Sequence, residues 1–298
     1  MSKLLNIFTS FFWVKLYVDL KYKWRGLKLY TIETDEFTIK YWDNKSDQEP
    51  LLLIQAFAAE AHYSWHFQIG ALHKKFRLIV PNFIYFGGSE KKGKKSFSID
   101  EQLKAVEQLI EQLEIDRLLI CGASYGGVIG TEYTHRHPEK VKKLVLTNSP
   151  LKYNAESDLK KILSEFKMET KGELLVPSNH KELHALFGIS YFKKPRVPAF
   201  LFKSIYKNLY QNLDNKRALV NESTKELKRL ENREYKFDLP TLLIWGEQDR
   251  ICPLYIGEQL TEHFQPHAEL KVIPKTAHMP NYEKAKKYNK ILIEFLKR

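Results

Sequence analysis

Cysteine is nearly absent from this 298-residue chain. Cys121 and Cys252 are the two that occur, far apart and without the spacing of a disulfide framework or a metal site. A reducing compartment suits that usage. There is also no uninterrupted apolar run of about 18 residues, the length a membrane-spanning helix requires. The apolar N-terminal stretch is not followed by an A-x-A-like cleavage site, which argues against a removed secretory leader. Acidic residues are fewer than basic ones, 36 against 48, and the formal charge is +12. Such an excess can mark nucleic acid or an anionic membrane as a partner. Here the lysines are spread over presumed helix faces and loops, as in KKGKK at 91–95, so a solvated basic surface is expected and nucleic acid is not.

What is present begins with an unusual N-terminus. LLNIFTSFFWV, residues 4–14, carries no charge, and Leu4, Ile7, Phe11, Val14 and Val18 fall at helical spacing. Phe8, Phe12, Trp13 and Tyr17 widen that face, and within residues 1–28 six basic residues stand against Asp19. The pattern predicts either an interfacial anchor in peripheral contact with the inner face of a membrane, or a helix packed over the domain. With the cysteine usage, the expected location is cytoplasmic.

From residue 29 the chain alternates. A hairpin is expected over 29–34 and 37–42, then buried strands at LLLIQ (51–55), RLIVP (77–81), RLLIC (117–121) and KKLVLTN (142–148), with helical segments between them. That rhythm predicts an α/β fold with a mostly parallel central sheet flanked by helices. It fails over 150–238, a helical stretch rich in aromatics and interrupted by Pro177, Pro195 and Pro198, and returns at TLLIWG (241–246) and AELKVIP (268–274). The expected organisation is a core of 29–149 and 239–298, a cap inserted at 150–238, and the N-terminal segment 1–28.

The chemistry is concentrated at strand ends. CGASYGG, 121–127, sets G-x-S-x-G between a buried strand and a helix, the context of a nucleophile elbow with Ser124 at its tip. Gly122 and Gly126 flank the serine where the turn leaves no room for side chains. Asp249 lies three residues past Gly246, and His278 four residues past Pro274. In a parallel sheet the loops at the carboxyl ends of strands gather along one edge, so Ser124, Asp249 and His278 can converge as nucleophile, acid and base. Glu247 is the rival acid. Nine other histidines compete as base: His62 and His66 near the loop after LLLIQ, His135 and His137 at the end of the elbow helix, His180 and His184 in the cap, and His73, His263 and His267, which look like ordinary surface residues. An oxyanion needs backbone donors, and the N–H groups of Phe57 and Tyr125 are placed to supply them. No metal or organic cofactor is implied.

Four separated pieces resemble the α/β-hydrolase superfamily, in order: LLLIQAF to QIGAL, VPNFIYFGGS, CGASYGG, and LLIWGEQD with IPKTAHMPNYE. The likeness covers nearly the whole chain and is greatest to the lipase, esterase and meta-cleavage-product hydrolase branch. It implies a helical cap, and a serine hydrolase acting on a small hydrophobic or lipid-like ester, of the monoacylglycerol lipase kind, through an acyl-enzyme. Carbon–carbon bond hydrolysis on the same triad is a second implication, and a binding protein on a weakened hydrolase scaffold a third. Departures from the family pattern are Gln55 and Ala56 where His-Gly precedes the oxyanion donor, Asn82 for an aspartate, and Tyr85 for a glycine.

Overall fold

A computed structural model describes residues 10–57, 60–152, 156–210 and 213–298. The strands run β1 (Lys28–Glu33), β2 (Phe37–Asp43), β3 (Pro50–Ile54), β4 (Arg77–Pro81), β5 (Glu90–Lys91), β6 (Leu118–Ala123), β7 (Val141–Thr147), β8 (Thr241–Gly246) and β9 (Ala268–Ile273). They form one sheet in the order β1-β2-β4-β3-β6-β7-β8-β9, with β5 paired to β2. β1, β2, β4 and β5 meet antiparallel, and every pairing from β4 through β3 to β9 is parallel. The parallel part needs crossovers on both faces, and the sequence supplies apolar residues for both. Leu51, Leu53, Leu119 and Cys121 point to one side, Leu52, Ile54, Leu118 and Ile120 to the other.

On one face lie α4 (Ile99–Gln112), α5 (Tyr125–Arg136) and α11 (Leu254–His263), whose Leu103, Leu109, Val128 and Leu260 are buried with the sheet. α4 starts where Ser98 accepts the Glu101 N–H at 3.1 Å, with Asp100 and Glu101 favourable to the helix dipole. On the other face lie α1 (Ser10–Lys23), α2 (Ala61–Trp65), α3 (Ile69–Leu72) and α13 (Ala285–Lys297). Trp65, Leu72, Tyr288 and Leu292 are buried there. The stretch between β3 and β4 thus holds two short helices, Ala61–Trp65 and Ile69–Leu72. β5 escapes sequence reasoning because two residues carry no periodicity.

Between β7 and β8 come α6 (Glu156–Glu165), α7 (Lys171–Leu175), α8 (His180–Ser190), α9 (Ala199–Leu209) and α10 (Leu213–Leu230). They have an apolar cluster of their own, including Ile162, Leu174, Leu183, Ile189 and Phe202. Phe202 and Tyr210 are buried cap core, whereas Phe192 and Phe200 are exposed.

The N-terminal segment divides its aromatics between two faces. Leu4, Ile7 and Phe8 lie outside the described residues. Phe11, Val18 and Tyr22 are buried on the body of the protein, and the Phe11 N–H donates to Ser204 Oγ of α9 at 3.1 Å. Tyr22 is fully buried, its ring 5.0 Å from that of Trp42 and edge-on to His62. Trp13, Tyr17 and Trp24 face outward, 58 %, 60 % and 79 % exposed. Among the described residues no helix is long and apolar enough to cross a membrane. Replacing Tyr22 by Ala should cost about 3–5 kcal/mol of stability, the price of a large buried aromatic, and Trp13→Ser no more than about 0.5 kcal/mol. Denaturant unfolding checks both, and equal losses would show that α1 is not seated by its inner face.

Candidate active site

β6 runs through the middle of the sheet and turns directly into α5. The turn is held by close backbone approach. A Cβ on Gly122 would lie 2.3 Å from the Gly126 carbonyl oxygen, and one on Gly126 2.4 Å from that of Gln55. Neither atom can retreat, since both belong to the backbone. Ser124 sits between them at φ 51° and ψ −119°, a strained conformation for a residue with a side chain. Its N–H donates to Thr147 O at 2.8 Å, tying the elbow to β7.

The loops after β8 and β9 bring two more groups to that serine. His278 Nε2 lies 3.0 Å from Ser124 Oγ, and His278 Nδ1 lies 2.7 Å from Asp249 Oδ2. With Nδ1–H donating to the carboxylate, Nε2 is left with a lone pair for the serine proton. Asp249 is buried, and its Oδ1 accepts the N–H groups of Ile251 at 2.8 Å and Cys252 at 3.0 Å. Glu247, the rival acid, is exposed beside Gln248.

Asn148 is a site residue the sequence did not disclose. Its Nδ2 donates to Asp249 Oδ2, and its Oδ1 accepts the Gly246 N–H at 3.2 Å. It occupies φ 47°, where asparagine is better tolerated than most residues. An asparagine just past a parallel strand adjacent to the elbow was the available signal. Glu283, at the end of α12 (Pro280–Glu283), accepts the Ala277 N–H at 2.7 Å and so steadies the turn that presents His278.

None of the other nine histidines lines the cavity at Ser124. His62 is buried against Tyr22, Trp42 and Tyr63, and burial lowers its pKa to about 3. His66 is likewise depressed, to about 4, by burial. His137 pairs with Glu107 at 2.9 Å, and His184 contacts Lys194. His263 is more than a surface residue, for its Nε2 accepts the Tyr235 N–H at 3.2 Å. Asp249, Cys252 and His278 bring ligand-type atoms within 4.8 Å of one another. The Asp249 and His278 atoms among them are already paired within the protein, Asp249 Oδ1 with the Ile251 and Cys252 N–H groups and Asp249 Oδ2 with His278 Nδ1 and Asn148.

The departures from the family pattern are accommodated individually. Ala56 is not among the residues with positive φ, so the lost glycine there imposes no left-handed strain. Gln55 is buried, and its side-chain oxygen accepts the Phe83 N–H at 3.3 Å. Asn82 Oδ1 accepts the Ala61 N–H at 2.8 Å, fastening the start of α2. Tyr85 does stand at φ 75°, its hydroxyl donating to Ser96 O at 2.8 Å. Phe57 and Tyr125 line one cavity with Ser124 and His278, and their rings pack edge to face.

A mostly parallel sheet, a strained serine on a strand-to-helix turn, and a carboxylate and a histidine just past the ends of β8 and β9 define the class of α/β hydrolases. The chain belongs to the alpha/beta hydrolase fold family, whose pattern it matches over residues 49–285, and is at that level a hydrolase. It is 22 % identical to human monoacylglycerol lipase ABHD6 over 275 residues, 89 % of this chain and 80 % of that one. It is 23 % identical to the 2-hydroxy-6-oxononadienedioate/2-hydroxy-6-oxononatrienedioate hydrolase of Burkholderia vietnamiensis, over 88 % of this chain and 92 % of that one. Its fold is similar to that of the crystallised putative lipase (lip1) of Acinetobacter baumannii AYE, with a TM-score of 0.81, 21 % identity and 95 % of each chain covered.

The elbow makes a stability prediction independent of chemistry. Gly126→Ala should lose about 1–3 kcal/mol, the usual cost of overpacking a close contact, seen as a lower denaturation midpoint. An unchanged midpoint would mean that β3 and α5 can separate freely.

Proposed function

We propose that this protein is a serine hydrolase that cleaves carboxylic esters of hydrophobic, lipid-like substrates through an acyl-enzyme on Ser124. The observation that carries this is the continuous chain from Ser124 Oγ through the His278 ring to Asp249, at 3.0 and 2.7 Å, beside an apolar cavity. His278 takes the serine proton as Oγ attacks the ester carbonyl. Asp249 stabilises the imidazolium that results, and is itself held in place by the Ile251 and Cys252 N–H groups and by Asn148. The oxyanion is received by the N–H groups of Phe57 and Tyr125. His278 then protonates the departing alcohol, and water, activated by the same ring, releases the acid.

The cavity encloses about 120 Å³. A space of about 150 Å³ takes one benzene ring, so short acyl groups fit without rearrangement of the cap. Across p-nitrophenyl esters of increasing chain length, kcat/KM should peak at short chains. A peak at long chains would show that the cap opens during turnover. Ser124→Ala should abolish both hydrolysis and fluorophosphonate labelling. Asp249→Asn should lower kcat by about 10⁴, as when the acid of such a triad is lost, and Asn148→Ala by a smaller factor with KM little changed. Undiminished ester turnover by Ser124→Ala would falsify the mechanism. Failure of a folded wild type to label would favour a binding protein on the same scaffold. The dienedioate hydrolase relative supports carbon–carbon hydrolysis as the alternative, and turnover of a vinylogous diketone acid without ester turnover would establish it.

The outward face of α1 supports peripheral contact with a membrane. Trp13, Tyr17 and Trp24 are amphipathic or apolar side chains of the kind that settle at headgroup level, and Lys15, Lys23 and Lys28 are exposed beside them. Because the inner face of α1 is part of the core, point changes test this better than truncation. Wild type should float with anionic liposomes, and a Trp13→Ser, Tyr17→Ser, Trp24→Ser variant should not. Equal flotation would remove this face from consideration.

A further inference from the structure

Glu283 stands outside the chain from Ser124 to Asp249, yet its two oxygens serve different parts of the molecule. Oε1 accepts the Ala277 N–H at 2.7 Å, one residue before His278. Oε2 accepts the Phe192 N–H at 3.0 Å and the Lys193 N–H at 3.3 Å, and both of those residues belong to the cap. They follow closely on α8, whose Leu186 and Ser190 line the cavity at Ser124 and whose Leu183 and Ile189 are buried in the cap's own cluster. The helix that walls the cavity and the turn that presents the base therefore share one carboxyl group. The body of α12 is held without the cap. Asn281 Nδ2 donates to Ser64 O at 3.1 Å, Gln68 Nε2 donates to Asn281 O at 2.8 Å, and the Tyr282 hydroxyl donates to Tyr63 O. When the cap shifts, α12 stays, and the Glu283 side chain is what responds.

We propose that Glu283 is a positioning residue through which the seating of the cap sets the orientation of His278; this rests on the hydrolase function proposed above. The two oxygens of a carboxyl group lie in one plane, so turning one turns the other. The bonds to the cap are longer and exposed to water, and they release before the shorter, partly buried bond to Ala277. Once Oε2 has lost its cap donors the side chain can swing toward solvent, and the Ala277 N–H loses a fixed acceptor. His278 then keeps Asp249 as a partner, but its Nε2 is no longer held steadily at 3.0 Å from Ser124 Oγ. A ring that must take a proton and return it is sensitive to such a change, since misplacement by about 1 Å can cost about 100-fold in rate. A substrate that lets α8 settle is thereby met by an ordered base, and one that props α8 up is not.

The experiment breaks the link from each side in the full chain. Phe192→Pro deletes the closer cap donor and leaves Glu283 intact; Tyr191 is already extended, at φ −122° and ψ 137°, as the residue before a proline should be. Lys193→Pro, which removes the other cap donor, is the second variant from that side. Glu283→Gln offers one oxygen where two are used, and Glu283→Ala offers none. With p-nitrophenyl butyrate, Phe192→Pro and Glu283→Gln should each lower kcat about tenfold and change KM by no more than about twofold. Phe192→Pro combined with Glu283→Ala should be no slower than Glu283→Ala alone, because both changes break the same link. A cap merely loosened by the proline would instead raise KM, and two independent defects would multiply. The second readout needs no turnover. The proton between His278 Nδ1 and Asp249 is followed by its low-field NMR resonance, identified by its loss in His278→Gln. In Phe192→Pro and Glu283→Gln that resonance should broaden and exchange faster with water than in wild type. This arm separates the two readings, since the same response in a wild type that turns over no ester keeps the coupling and rejects the hydrolase function. A wild-type kcat in Phe192→Pro, an unchanged resonance there, or losses that multiply in the double variant each overturn the proposal.

Discussion

The structure depends on one close approach, that of the start of α5 to the backbone at the ends of β6 and β3. At Gly122 and Gly126 the chain passes within a distance that leaves no space for a methyl group. Only there can a strand buried on both faces turn into a helix without an intervening loop. The consequence is local strain at Ser124, at φ 51°, held by β7 through the Thr147 carbonyl. The serine cannot relax away from the sheet edge because the helix and two neighbouring strands fix its position. That rigidity makes a hydroxyl on a turn a defined point in space, and the other groups need only reach it.

The register of the strands that carry them brings them to it. Ala123 pairs with Thr147, Thr147 with Ile244 and Gly246 with Ile273, so β6 and β7 end level while β8 and β9 end level with each other two residues further on, beside the elbow. Asn148, Asp249 and His278 leave the ends of β7, β8 and β9. Asp249 then accepts from two backbone N–H groups, from Asn148 and from His278, so that both of its buried oxygens are paired. The Asn148 amide joins all three loops, since its Nδ2 also lies 3.4 Å from the carbonyl oxygen of Ala277, the residue before His278. It is a brace for the acid more than a participant in proton transfer.

Much of this was legible in the sequence because its signals are local. The alternation of buried strands with helices, the small residues around Ser124, and single polar residues just beyond strand ends each follow from short stretches of chain. Asp249 could be preferred to Glu247 because its distance past the strand suited the turn. Asn148 could not be singled out, since its role lies in a hydrogen bond across 101 residues. Tyr85 and Ala56 show the same boundary. Both replace small residues of the family pattern, yet the glycine position that tyrosine fills does need positive φ, and the one that alanine precedes the oxyanion donor with does not. A residue type reports steric demand only when the backbone angle is known.

The N-terminal helix shows why two sequence expectations for one segment need not compete. The apolar residues of α1 are too many for a single stripe, so part of them is buried and part exposed. What seats the buried part is packing, not charge. Asp19 and Glu60 lie 3.5 Å from the two nitrogens of His62, too far for good hydrogen bonds, and burial drives the imidazole toward its neutral form, with a pKa of about 3. A neutral ring gains little from either carboxylate. Phe11, Val18 and Tyr22, each contributing about 1.5–3 kcal/mol when fully buried, therefore hold α1 in place across a range of pH. The helix can then keep its inner face in the core while Trp13, Tyr17 and Trp24 stay available outside, because the two sets of residues lie on different sides of the same turns.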